Sequence, residues 1–293
     1  MVINKHGSFY IRNGWPTKII DAINENEMIF SPREELLAVD NTGVGRVMVR
    51  ALRYWAKATG LVEEEVVQQG IACHPTPLFR LLYQNDYYFL SNASLWLLHR
   101  NLARDDENAT AWYWAFNEFT NNFSKDEFVN SFYSYLISAG GKYKKEAIEK
   151  EFLCFKNTYI NDSKLDLNKI IEEDTIPFFA PLNLISYNDS GRYEKTKIRL
   201  KDIPGEVLYY CILQDNVEFL RDHKQINIDT LLEEKKQVGK YINLSYSSLL
   251  ELLQIIENKG FIHLHNNFGN RYIEILQGDS NVVLQDFFND LER

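Results

Sequence analysis

Apolar positions recur every three or four residues through much of this chain, the period of helices that bury one face. Between Phe9 and Phe30 the stripe Ile19, Ile20 and Ile23 follows Trp15-Pro16, where proline suits a first helical turn, and predicts an opening helix. Ser31-Pro32-Arg33-Glu34-Glu35 then offers a capping serine, a first-turn proline and dipole-matched acids ahead of Leu36-Leu37-Ala38-Val39. A second, short helix is expected there. The polar turn Asp40-Asn41-Thr42-Gly43 leads into Val44 through Ala58, which meets no breaker before Gly60. Two helices around a glycine-containing turn read as a helix-turn-helix. From Leu61 to about Gly70 the pattern fits a helix end or a wing, and Cys73-His74-Pro75-Thr76-Pro77 reads as irregular because two prolines interrupt pairing.

From Phe79 to Ile160 the sequence is aromatic and helical in period, as in Ser94-Leu95-Trp96-Leu97-Leu98-His99 and Ala111-Trp112-Tyr113-Trp114-Ala115-Phe116. Ser124-Lys125-Asp126-Glu127 has the form of a capping box, and Gly140-Gly141 ends the helix it opens. The segment from Asn161 to Ile203 is loop-rich, with a short strand expected over Arg192 to Arg199. After Pro204 come a helix over Val207 to Leu213, a second over Ile228 to Leu232, a third capped by Ser245, and a hairpin from Phe261 to Ile275. The expected fold is therefore mainly α with small β wings (α+β), in which winged helix-turn-helix units flank a helical middle domain. The expected divisions are 1–75, 76–165, a connector over 166–203, and 204–293.

Composition narrows the classes of function. Apolar residues make up 45% of the 293 and aromatic ones 14%, enough for a large ordered core. No stretch approaches the roughly 20 uninterrupted apolar residues of a membrane helix, and Met1-Val2-Ile3-Asn4-Lys5-His6 lacks a signal peptide's apolar run. A cytoplasmic protein without a membrane partner is expected. Cys73, Cys154 and Cys211 are widely spaced and read as buried, reduced thiols. His263 and His265 share one side of a strand without a carboxylate or cysteine at ligand spacing, so no metal site is expected. There is no phosphate-loop motif, nucleophile elbow, paired-histidine zinc motif or dinucleotide fingerprint, and thus no catalytic residue or cofactor is assigned. The carboxylate runs Asp105-Asp106 and Glu172-Glu173-Asp174 read as loop or cap residues, and Asp86 with His99 as a candidate buried polar pair.

A net charge of −9 argues against indiscriminate coating of nucleic acid, so any DNA contact must use a local basic surface. One exists in the third helix. At about 100° per residue, Arg46, Arg50, Arg53 and Lys57 fall within roughly 60° of one another. Met48, Val49, Leu52, Trp55 and Ala56 occupy the opposite arc. That is the arrangement of a recognition helix, held by its apolar side while arginines reach phosphates and guanine edges, and Gly45 at its start permits close approach to a phosphate. The alternative is a solvated helix face. In the C-terminal unit the corresponding helix carries Glu251 and Glu257, with Lys259 only at its end, which favours packing or partner binding over DNA. Lys235, Lys236 and Lys240 just before it read as a solvated face.

Val44 through Tyr54, ending in Thr59-Gly60-Leu61-Val62, resembles the recognition-helix segment of GntR-type transcription regulators, with Gly45 where those proteins often have serine. On a larger scale, Phe9 to Trp15, Thr42 to Tyr54-Trp55, Leu95 to His99, Trp112 to Phe119 and Pro181-Leu182 resemble the bacterial domain-of-unknown-function family numbered 4007. That resemblance implies a protein encoded in phage-defence islands, often beside genes of DNA-sulfur-modification type, and brings no established catalytic residues. The expected function is thus a non-enzymatic, DNA-binding accessory or regulatory component of such a system, with double-stranded DNA as partner. The alternative is a protein–protein adaptor docking a sulfur-modification or ATP-dependent defence protein. Two-fold half-sites make a homodimer a candidate, although nothing in the sequence specifies its interface.

Overall fold

The computed structural model describes residues 1, 3–161, 176–267 and 269–291. It is a mixed α/β fold, 55% helical, in which every sheet is small and antiparallel. Helix α1 (Trp15–Glu25) buries Trp15, Ile19, Ile20 and Ile23, as its apolar stripe requires. Ser31 makes no side-chain cap, because a 3-10 turn over Pro32–Glu34 separates it from α2 (Glu35–Thr42). Gly43, in the left-handed region at φ 68°, closes α2, and α3 (Arg46–Ala58) starts three residues later. Strands β1 (Val62–Val67) and β2 (Gly70–Pro75) follow as a hairpin, with Val62 opposite Pro75 and Val67 opposite Gly70. The expectation of an irregular Cys73–Pro77 stretch is corrected here. Pro75 is the last residue of β2 and Pro77 the first of α4 (Pro77–Asn85), so neither proline interrupts the ladder.

Among the described residues four more helices form the middle of the molecule: α5 (Asn92–Arg104), α6 (Thr110–Asn117), α7 (Lys125–Ser138) and α8 (Lys145–Tyr159). Ser124 and Glu127 make the anticipated capping box of α7, and Gly140 just beyond it has a positive φ. All eight residues of α6 are buried, and α5 buries Leu95, Trp96, Leu97, Leu98, His99 and Leu102, so both are core helices without a true solvent face. Strand β5 (Tyr193–Lys195), shorter than expected, lies between β3 (Asn122–Phe123) and β4 (Ile185–Tyr187). The carboxylates Glu172, Glu173 and Asp174 lie outside the described residues.

The C-terminal third contains α9 (Gly205–Asp215), β6 (Gln225–Asn227), α10 (Ile228–Glu233), α11 (Val238–Tyr241), α12 (Tyr246–Asn258), β7 (Ile262–Asn267), β8 (Asn270–Ile275) and α13 (Ser280–Leu291). Ser245 caps α12 by accepting a bond from the Ser248 amide. The predicted hairpin gains β6 as a third strand, in the order β6-β8-β7. Helix α13, which the sequence pattern did not signal, packs on α9 and α4. The buried apolar cluster runs unbroken from Ile11 to Phe288 through every one of the expected divisions. The Trp55 and Trp112 rings meet edge to face at 5.3 Å between the first unit and the middle helices.

Polar groups on α5 tie the middle to the C-terminal third. The Asp215 carboxylate, wholly enclosed, accepts from Arg100 at 2.7 Å, from Arg104 at 2.9 Å and from the Tyr241 hydroxyl at 2.6 Å. His99 lies 3.0 Å from the Tyr159 hydroxyl and 2.9 Å from the Tyr241 carbonyl. It is not paired with Asp86, whose carboxylate accepts instead from the Leu90 and Ser91 amides and the Ser94 hydroxyl at the start of α5. Burial pushes the His99 imidazole down to about 4, against the opposing pull of the Tyr241 carbonyl. The folded state thus stays neutral where the unfolded chain, titrating near 6.5, gains a proton, and stability is lost as pH falls from 6.5 toward 4. Urea unfolding should show a wild-type loss about 2 kcal/mol larger between pH 7.5 and 5.0 than that of His99→Gln. Equal losses in the two proteins would contradict a buried, neutral imidazole.

Candidate nucleic-acid interface

Helix α3 buries Val49, Ala51, Leu52, Trp55, Ala56 and Ala58, and the Trp55 indole donates to the Phe9 carbonyl at 2.9 Å. The apolar side is therefore fixed, and the four predicted cations emerge from the other side in two distinct settings. Arg46 is exposed, and among the described residues no carboxylate pairs with it. Arg50 is 70% exposed and meets Glu35 of α2 at 2.7 Å. Arg53 and Lys57 are half-buried and share Glu64 of β1, at 2.6 and 3.4 Å. Burial would raise the Glu64 carboxyl, but hydrogen bonds and charge from Arg53 and Lys57 outweigh it and hold that carboxyl below its usual range.

Three of these four cations are thus paired with carboxylates, although α3 has no acidic residue of its own. The carboxylates come not from α3 itself but from the helix before it and the strand after it. The signal available in the sequence was the run Glu63-Glu64-Glu65 directly after the helix, in a segment that could not be assigned to a strand. Alongside this face runs a groove of about 530 Å³, bordered by Arg50, Arg53, Lys57 and Lys5, with Val49 and Tyr54 on its apolar side.

Gly45 precedes α3 in an extended conformation, at φ −67° and ψ 157°, and a Cβ there would meet no atom within 4 Å. The helix start is consequently open, as close approach of an anion requires. Gly45 and Gly43 differ physically, since only Gly43 occupies the left-handed region. The C-terminal unit is differently charged: Glu257 accepts from the Leu264 amide at 2.8 Å, and Lys259 at the end of α12 pairs with Glu206. The lysines read as a solvated face are engaged as well: Lys235 with Glu118, Lys236 with Asp106, and Lys240 with Glu233.

Among the described residues no group of three or more His, Cys, Asp or Glu could hold a metal ion, and no helix is long and apolar enough to cross a membrane. Cys73, Cys154 and Cys211 are free and buried, and burial pushes the thiols of Cys73 and Cys211 up to about 12. Asp105 caps its own loop by accepting from the Glu107 and Asn108 amides.

The family model described as protein of unknown function, DUF4007, matches residues 3–288. No curated protein matches the chain. Among solved structures, a magnesium ion-bound SspB crystal structure is similar at a TM-score of 0.84 and 22% identity, covering 99% of this chain and 88% of that one. A second SspB crystal structure is similar at 0.81 and 21%, with the same coverage. At this identity the likeness is one of fold.

The turn before α3 can be tested directly. Gly45→Ser should keep or raise stability by a few tenths of a kcal/mol through a new cap. Gly43→Ala should cost about 1 kcal/mol, because alanine is strained at positive φ. Urea midpoints measure both; equal costs at the two glycines would contradict the distinction.

Proposed function

The chain belongs to the DUF4007 family, and because that name carries no activity we propose its function from the geometry. The protein binds double-stranded DNA as a non-enzymatic accessory or regulatory component of a bacterial DNA-modification or phage-defence system. Residues 1–75 act as a winged helix-turn-helix, with α3 as recognition helix and the β1–β2 hairpin as wing. The observation that carries this reading is that Arg46 and Arg50 project from the open first half of a helix whose other side is fully packed. Arginines so placed can fix register on the backbone and read guanine acceptors, while Gly45 leaves the helix start accessible to a phosphate. Arg53 and Lys57, bound to Glu64, contribute when phosphate competes for them. The setting is the one that the family resemblance implies, and the fold shared with SspB is compatible with it. One of those SspB structures carries magnesium. The contacts proposed for this chain, from arginine to phosphate and base edge, use no such ion.

An adaptor role is the second reading. It is favoured by the exposed Leu36, Leu37 and Val47 on the same unit, together with the overall acidity. Salt dependence separates the two, because phosphate contacts release counterions. In fluorescence anisotropy with a duplex, affinity should fall as salt rises, and an Arg50→Glu, Arg53→Glu protein should bind about tenfold more weakly or worse. Glu64→Gln, which frees Arg53 and Lys57, should bind more tightly, with a salt dependence steeper by about one to two. Unchanged affinity in the folded charge-reversed protein would end the DNA reading, and a salt-insensitive protein complex without DNA affinity would favour the adaptor.

A further inference from the structure

Lys195, the last residue of β5, is only 5% exposed. Its Nζ donates to the Phe119 carbonyl at 2.8 Å and lies 6.0 Å from the centroid of the Phe116 ring, and no described carboxylate forms an ion pair with it. A buried ammonium in that condition is costly to a fold, since a single carbonyl replaces its water shell. Burial, with the like charge of Lys240, accordingly pushes this amine down to about 7.

Lys195 is not sealed in the core. It lines a cavity of about 490 Å³, to which Lys197 and Lys240 also contribute. The acids on that cavity are Glu118 and Glu233, and each is already engaged, by Lys235 at 3.0 Å and by Lys240 at 2.9 Å. Ser245 and Tyr246, which begin the 13-residue helix α12, form another part of the wall and bring the positive end of its dipole to it. Phe116, Phe119 and Tyr246 supply aromatic surface.

We propose that this cavity binds a small phosphorylated molecule with a flat apolar portion, of which a nucleoside monophosphate is the simplest. Lys195 and Lys197 hold the phosphate beside the start of α12, Lys240 on Glu233 adds positive charge next to them, and the aromatic wall takes the base. The choice of a phosphate follows from charge, because a group carrying about two negative charges near neutral pH matches two uncommitted lysines and a helix start. The choice of a larger molecule follows from volume, because a phosphate alone leaves most of the cavity empty. This site is separate from α3 and does not depend on the DNA reading.

Anion binding would restore the proton on Lys195, so complex formation at pH 8 should take up protons. Isothermal calorimetry of the full chain with AMP, in two buffers of different ionisation enthalpy, measures affinity and proton uptake together. AMP should bind more tightly than inorganic phosphate or adenosine, with net uptake at pH 8. Lys195→Met should weaken AMP at least tenfold and abolish the uptake. A Lys197→Ala, Lys240→Ala protein, altered only at the rim, should also bind at least tenfold more weakly, and it serves as the test should the Met variant not fold. Absence of AMP binding at millimolar concentration, or AMP affinity unchanged in these variants, would overturn the proposal. Loss of duplex affinity in Lys195→Met with AMP binding retained would overturn it too, by assigning the lysine to DNA.

Discussion

Asp215 sits at the junction on which this architecture depends. Its enclosed carboxylate accepts from two arginines of α5 and from the hydroxyl of Tyr241 in α11, so three elements distant in sequence are fixed relative to one another through one charged group. Removing one member of such a buried set leaves an unmatched charge and typically costs about 3–5 kcal/mol. His99, one residue before Arg100, adds a neutral link between Tyr159 and the Tyr241 backbone. Because α5 is buried nearly all around, these polar groups are what orient the C-terminal third against an otherwise apolar surface that could slide.

The same rigidity reaches the basic face. Trp55 of α3 packs edge to face on Trp112 of α6, and His6 packs between the Tyr54, Trp55 and Trp112 rings while meeting Glu151 of α8 at 3.0 Å. Helix α3 therefore cannot roll, and its cations face a fixed direction. Their pairing with Glu35 and Glu64 makes the surface less attractive to polyanions in general than four bare charges would be. The net charge of −9 has the same effect, so favourable contact requires a ligand that meets Arg46 and Arg50 in register.

Much of the helical framework was legible because helices announce themselves locally. The capping box at Ser124, the stripe of Ile19, Ile20 and Ile23, and the amphipathic division of residues 46–58 all survive intact. What escaped was set by distant partners. β6 and β3 are too short to carry a period, and the β1–β2 ladder was hidden by prolines that fall at its end rather than within it. For the candidate site, the positions of Arg46, Arg50, Arg53 and Lys57 on one face were readable from spacing, whereas their glutamate partners depended on how α2 and the hairpin pack against α3. Lys195 shows the limit most clearly. Within the polar run Arg192 to Arg199 nothing local marks it as buried, and it is enclosed only once the β3–β5 sheet packs against Phe116 and Phe119.

The central claim is that α3 and the hairpin after it form the DNA-contacting surface, and amide hydrogen exchange of the full chain with and without a duplex tests it most directly. The account predicts slowed exchange over residues 43–53 and 62–75, with residues 246–258 unchanged, and loss of that protection at high salt. Protection confined to the C-terminal unit, or none at a duplex concentration that saturates binding, would contradict it.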